Sequence, residues 1–150
     1  MIRNINETIN TETSIFWIKV HRRVYKYISD FLEKKGYSKK DFANINNFHM
    51  DVTFFHYGED KKIDRRFDIM IQNFNFGYES DTSGEVMIEF SVLNGNEKII
   101  KSDASKHRNM ELFFRDKEYT VDQAVKIYID EFLRLYKLSV DYFKKHGIII

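Results

Sequence analysis

The order of hydrophobic and polar positions divides the chain into two helical ends and an extended middle. Near the amino terminus, apolar side chains recur at the three- and four-residue spacing of an amphipathic helix, namely Ile18, Tyr25, Ile28, Phe31 and Leu32. This spacing predicts a helix from about Thr13 to Lys35, which Gly36 is suited to end. The preceding residues 1–11 are polar, and we expect them to form a flexible arm.

The middle of the chain changes to the two-residue period of strands. Residues 48–55 alternate between apolar and mixed positions and predict a half-buried strand. Residues 63–78 predict a second strand region, with Phe67, Ile69 and Ile71 on one parity. Phe74, Phe76 and Tyr78 lie on the other parity, so we predict a bulge or break near Gln72-Asn73.

Two further strands and a second helix complete the pattern. Residues 86–93 alternate again, Asn94-Gly95 is a strong hairpin signal, and a strand follows from about Glu97 to Lys101. Residues 102–109 read as a polar loop, and 110–115 as one more strand. Thr120 with Gln123 forms a capping-box pattern. The helix that it opens has an apolar stripe made of Val121, Val125, Tyr128, Phe132, Leu135, Tyr136 and Phe143.

The element order predicts one α+β domain over residues 1–150. A long N-terminal helix precedes an antiparallel meander of four to five strands, and a long C-terminal helix follows it. We expect the helices to cover one face of the sheet. The other face is then either solvated or the working surface.

Composition narrows the class of protein. The chain is 43% hydrophobic and 16% aromatic, which supplies a core for 150 residues. It has no Cys, which excludes disulfides and thiolate zinc sites. The net charge of +1 argues against a nucleic-acid partner, and no apolar run is long enough for a membrane span. We expect a cytoplasmic protein. Many residues with AT-rich codons and no Pro suggest an accessory gene.

Candidate chemistry is sparse. His49 and Asp51 lie two apart on a predicted strand, so they share a face and could supply two metal ligands. His56 has the opposite parity, and only His107 in a predicted loop could join them. The chain has no nucleophile elbow, phosphate loop or dinucleotide fingerprint. We therefore assign no catalytic residue, no metal site and no cofactor.

The aromatic segment from Asn73 to Tyr78 is the most suggestive feature. Its rings, interleaved with Asn, are typical of protein interfaces, although aromatic stripes also fill cores. If Phe54 points into the core, Phe55 points away from it. We therefore predict a partner-binding surface that consists of Phe55, Arg66, Phe74, Phe76 and Tyr78.

In size, composition and architecture, the chain resembles the small immunity proteins that neutralise bacterial toxins. The resemblance implies a non-enzymatic inhibitor that binds a toxin domain directly, and no motif accompanies it. The alternative is a small enzyme or ligand-binding protein with a pocket formed by His49, Asp51, Arg66 and Glu89. A concave pocket would favour this alternative, whereas a flat exposed patch would favour binding. The oligomeric state and the face that the helices cover stay open.

Overall fold

The computed structural model describes residues 14–39, 44–45, 49–75, 82–94, 97–101, 108–109 and 120–149. Helix α1 spans Ser14–Glu33, and helix α2 spans Val121–Lys145. The strands in chain order are β1 (Ser38–Lys39), β2 (Asn44–Ile45), β3 (His49–Tyr57), β4 (Ile63–Asn75), β5 (Thr82–Asn94), β6 (Glu97–Lys101) and β7 (Arg108–Asn109). The arm at 1–11, the predicted strand at 110–115 and His107 lie outside the described residues.

The long strands pair in the order in which they occur along the chain. The sheet has the order β1-β3-β4-β5-β6, with β2 also paired to β3 and β7 also paired to β5. All these pairings are antiparallel. The predicted α+β fold is therefore confirmed, and β3 to β6 form a meander. The hairpin at Asn94 is also confirmed, because Asn94 lies opposite Glu97.

Both helices pack on one side of the sheet, which we call the inner face. Alternate residues of the three central strands are buried there, namely Met50, Val52, Phe54, Phe67, Ile69, Ile71, Ile88 and Phe90. The helices cover them with Val20, Val24, Ile28 and Leu32 from α1 and with Tyr128, Phe132, Leu135 and Phe143 from α2. Fully burying such a side chain contributes roughly 1.5–3 kcal/mol, so this single layer of contacts is the main source of stability.

The apolar stripe predicted for α1 is only partly right. Ile28 and Leu32 are fully buried, but Ile18, Tyr25 and Phe31 are half-buried. Branched aliphatic residues four apart face the sheet instead, because they fit closely on a flat strand surface. Phe31 turns sideways onto α2, with its ring centroid 5.0 Å from that of Tyr136.

The local signals at the helix ends are confirmed. The Thr120 side chain accepts a 3.1 Å hydrogen bond from the Gln123 backbone, and the Thr120 backbone donates a 2.9 Å bond to the Gln123 side chain. Gly36 and Gly147 follow the two helices with φ of +90° and +74°. Positive φ is readily adopted only by glycine, which explains why the helices end there.

Pairing between β4 and β5 is regular along the described length. It runs without a shift from Arg65 opposite Val92 to Asn75 opposite Thr82. The bulge predicted near Gln72-Asn73 is therefore wrong. That prediction assumed that the rings after Asn73 lie on the core face. A regular ladder keeps every backbone group paired, so successive side chains go on alternating between the two faces and no ring changes face.

A shift in the ladder does occur at the other end of β4. His56 lies opposite Arg65, and Tyr57 lies opposite Ile63, so Asp64 is the extra residue. An extra residue of this kind brings two successive side chains to the same side of a strand. Ile63 is thereby brought to the side of the sheet away from the helices, the side that Tyr57 occupies by regular alternation along β3.

A short pairing also replaces part of a predicted loop. Arg108–Asn109 forms β7 and lies opposite Val86 and Glu85 of β5. The prediction of a loop over 102–109 is wrong at these two residues. Their extended conformation depends on β5 as a partner, which the local sequence does not reveal.

Candidate functional site

The outer face of the sheet, on the side away from both helices, carries polar and aromatic side chains in rows across the strands. These rows are created by register, because residues directly opposite each other in an antiparallel pair lie on the same face. The described rows are Asp51–Met70, Thr53–Asp68–Glu89 and Phe55–Arg66–Ser91. Neither described helix covers these rows.

Arg66 is held in place by hydrogen bonds on this face. Its Nε and Nη2 donate to Asp68 Oδ1 over 3.2 Å and 3.0 Å, and its Nε lies 3.0 Å from Asp68 Oδ2. Thr53 Oγ1 donates to the same Asp68 Oδ1 over 2.8 Å. An exposed ion pair contributes at most about 1 kcal/mol to stability, so the main effect is to orient the guanidinium.

The ring of Phe55 lies beside the oriented guanidinium. Arg66 is directly opposite Phe55 in the ladder, and its Cζ lies 6.0 Å from the ring centroid, at the limit of a cation–π contact. Both side chains remain accessible at the outer face. They form one wall of a shallow depression of about 330 Å³, lined by Phe55, Ile63, Arg66, Asp68, Glu89, Ser91 and Leu93.

The described outer face is acidic. Asp68 and Glu89 lie directly opposite each other on β4 and β5, and Asp51 lies in the next row. Arg66 lies in the same rows, and Lys101 of β6 continues the last row opposite Ser91, so the residues of these rows sum to a local charge of −1. Like charges directly opposite each other in a sheet are destabilising, and the Arg66–Asp68 ion pair offsets part of that cost.

The structure separates the predicted partner-binding residues. Phe55 and Arg66 are neighbours, whereas Phe74 lies eight residues further along β4, or roughly 27 Å at the rise of an extended strand. The backbone of Phe74 pairs with Ser83 of β5. Phe76 and Tyr78 lie outside the described residues. We therefore define the outer-face site by Phe55, Arg66, Asp68, Ile63 and Leu93.

The residues considered for metal binding or a pocket are only partly brought together. Arg66 and Glu89 line the depression, whereas Asp51 is exposed in the next row and does not line it. His49 pairs through its backbone with Gln72 at the far end of β3. Among the described residues, no group of three His, Asp or Glu side chains could hold a metal ion.

A second polar pair lies at the opposite side of the sheet. His56 has the opposite parity from Asp51, as predicted, and its Nδ1 lies 2.7 Å from Asp64 Oδ1. The His56 ring packs 5.5 Å from the ring of Tyr37, and Gly36 leaves room for it. The pair joins β3 to β4, and the ring contact with Tyr37 connects it to the segment that follows α1.

Sequence reasoning did not assign Asp68, Ile63 or Leu93 to the site. Asp68 and Glu89 lie directly opposite each other on neighbouring strands. The missing signal was register: once Phe54 is placed opposite Phe67, Phe55 must face Arg66 and Thr53 must face Asp68. Ile63 could not be assigned in this way, because the extra residue Asp64 changes its parity.

Compared with family models, with curated proteins and with solved structures, the chain shows no match. Neither described helix is both long enough and apolar enough to cross a membrane. The geometry of the outer face is thus the basis for a functional interpretation.

Proposed function

We propose that this chain is a non-enzymatic protein-binding module that docks its partner on the outer face around Phe55 and Arg66. The observation that carries the proposal is the orientation of Arg66 by Asp68 and Thr53 on a face that neither described helix covers. Arg and aromatic side chains dominate binding hot spots. An oriented side chain also loses less conformational entropy when the partner binds.

The charge of the outer face indicates the chemistry of the partner. Because Asp51, Asp68 and Glu89 outnumber Arg66 and Lys101 in these rows, the partner surface should be basic. The depression between Phe55 and Leu93 is wide enough for an apolar or cationic side chain of that partner. Acidic groups around such an anchor would steer the encounter and exclude other acidic surfaces.

Within this class, we propose an immunity or inhibitor protein that neutralises a toxin domain by direct binding. The resemblance in size, composition and α+β architecture supports this assignment. A toxin that acts on nucleic acid needs a basic substrate surface, and an acidic sheet face could cover it. Shape and the Phe55–Arg66 anchor would then supply the specificity.

The test is capture of the partner from the source organism by three tagged proteins. They are the wild type, the variant F55A/R66A, and K62E/K137E, whose exposed lysines do not line the depression. Loss of a hot-spot residue costs about 2 kcal/mol or more, so F55A/R66A should bind at least roughly 30-fold more weakly. Circular dichroism of each variant verifies that the fold is kept.

A stoichiometric protein captured by the wild type and by K62E/K137E, but not by F55A/R66A, would support the docking site. The toxin assignment further requires that this partner arrest growth when expressed alone and not when co-expressed with the wild type. Retention of the partner by folded F55A/R66A would place the interface elsewhere.

The alternative of a small-ligand site rests on the convergence of Arg66, Asp68 and Glu89 in the depression. Native mass spectrometry of the purified wild type distinguishes the two functions. A retained small molecule that is lost in R66A, with no protein partner, would favour the ligand-binding function.

A further inference from the structure

Helix α1 carries a row of basic side chains on the side opposite the sheet. Lys19, Arg22, Arg23 and Lys26 are all exposed, and they are spaced by three, one and three residues. This spacing places them on one helix face over two turns, along about 10 Å. The core-facing residues, such as Val24, lie on the opposite side of the same helix.

The charges of α2 provide a comparison, because helix stability explains most of them. Asp122 lies in the first turn and Lys144 and Lys145 lie in the last, which suits the helix dipole. Other charges form ion pairs within the helix, namely Lys126 with Asp130 and Arg134 with Glu131. Such pairs contribute about 0.2–0.5 kcal/mol each.

Helix stability does not explain the row on α1. The first turn has no acidic residue, and Asp30 and Glu33 occupy the last turn, where carboxylates oppose the dipole. Within the described part of the chain, Lys19 and Arg22 have no ion pair or hydrogen bond through their side chains.

The two remaining members of the row have exposed partners. Arg23 pairs with Asp122 of α2, and Lys26 lies 3.3 Å from Asp30. Each of these partners is more than half exposed, so the pairs are weak and easily exchanged for another anion.

The net charge of the chain does not reveal the row of basic side chains on α1. Residues 14–35 contain six basic and two acidic side chains, whereas the described outer face of the sheet is acidic. The overall value of +1, from which we expected no nucleic-acid partner, is a sum over the whole chain and does not describe the local charge of α1. A local basic surface is the electrostatic feature by which nucleic-acid binding is recognised.

We propose that Lys19, Arg22, Arg23 and Lys26 form a binding site for the phosphate backbone of nucleic acid, independent of base sequence. Guanidinium and ammonium groups donate charge-assisted hydrogen bonds to phosphate oxygens. A membrane surface fits less well, because the apolar side of α1 is buried against the sheet and cannot enter lipid. This proposal is independent of the outer-face function.

The test is fluorescence anisotropy with a labelled DNA duplex of about 20 base pairs at salt concentrations from about 50 to 200 mM. Four phosphate contacts predict that the logarithm of the binding constant falls with log salt at a slope of about −3 to −4. K19E/R22E should bind at least tenfold more weakly at the lowest salt, and its slope should be shallower by about 2. The matched control K62E/K137E has the same change in net charge.

Binding by the wild type and the control, with loss in folded K19E/R22E, would establish the site. Three results would overturn the proposal. The first is that the wild type does not bind the duplex at about 50 mM salt, and the second is that the control loses as much affinity for the duplex as K19E/R22E. The third is that the protein binds phosphatidylserine vesicles without binding the duplex. The second result would assign binding to net charge alone, and the third to a lipid surface.

Discussion

Phe54 and Phe55 are consecutive residues of β3 whose rings lie on opposite faces of the sheet, so they offer a matched pair of truncations. Phe54 is fully buried between the sheet and the helices, whereas Phe55 is half-buried beside Arg66. Phe54→Ala removes a core ring and leaves a cavity, which should cost about 3–5 kcal/mol of unfolding free energy. Phe55→Ala loses mainly a partly solvated contact with Arg66 and should cost about 1 kcal/mol or less.

Urea and thermal unfolding, followed by far-ultraviolet circular dichroism, would measure both changes. For a domain of this size, 1 kcal/mol corresponds to about 2–4 °C in Tm, so F54A should lower Tm by roughly 6–20 °C and F55A by about 4 °C or less. The urea m-value should be unchanged in F55A, because the surface exposed on unfolding is nearly the same. Phe54→Leu, which leaves a smaller cavity, should fall between the two.

Equal destabilisation by the two alanine variants would refute the assignment of the faces. It would mean that the Phe55 ring is packed as tightly as the Phe54 ring, so the outer face would be unavailable to a partner. A small loss of unfolding free energy in F54A would also refute the assignment, because it would show that Phe54 is not part of the core.

Two further predictions concern stability. Thr120→Ala removes the side-chain half of the capping box and should lower the unfolding free energy by about 1 kcal/mol, measured by urea unfolding, whereas Thr120→Ser should retain most of it. Burial raises the pKa of the Tyr37, Tyr128 and Tyr136 hydroxyls above the ordinary value of 10.0. The folded state then holds more protons than the unfolded chain above about pH 10, so stability should fall as the pH rises past this value. Tyrosinate absorbance should show some of the nine tyrosines ionising only on unfolding, and simple ionisation of all nine in a folded protein would contradict this.

The helices and the central strands could be predicted because their signals are local. The capping box at Thr120, the alternation in β3 and β5, and the Asn94 hairpin signal each depend on a few neighbouring residues. Helices α1 and α2 end at Glu33 and Lys145, three and two residues before glycines that adopt positive φ. Such signals act before any tertiary contact forms.

The features that could not be predicted depend on residues distant in sequence. The ladder shift is at Asp64 and not near Gln72, because the turn that joins β3 to β4 sets where the register changes. The two-residue strand at Arg108 exists only through its pairing with β5. Alternation alone defines two faces of a strand and does not say which one a helix will cover.

For the candidate site, the residue types were predictable and their arrangement was not. Phe55 and Arg66 were nominated from aromatic and basic character, and the ladder makes them direct neighbours. Their separation from Phe74 follows from the extended rise of β4 between Arg66 and Phe74. Orientation of Arg66 by Asp68 and Thr53 required knowledge of how β3 and β4 pair.

The segregation of charge between α1 and the outer face makes the described fold an electric dipole across its thickness. The basic row lies on the solvent side of the helical layer, and Asp51, Asp68 and Glu89 lie on the far side of the sheet. A nearly neutral molecule of this kind experiences little net attraction to a charged surface but a strong torque near one. It should therefore approach a polyanion with α1 leading and a basic protein with the sheet leading, so the two partners would meet it from opposite directions without competing.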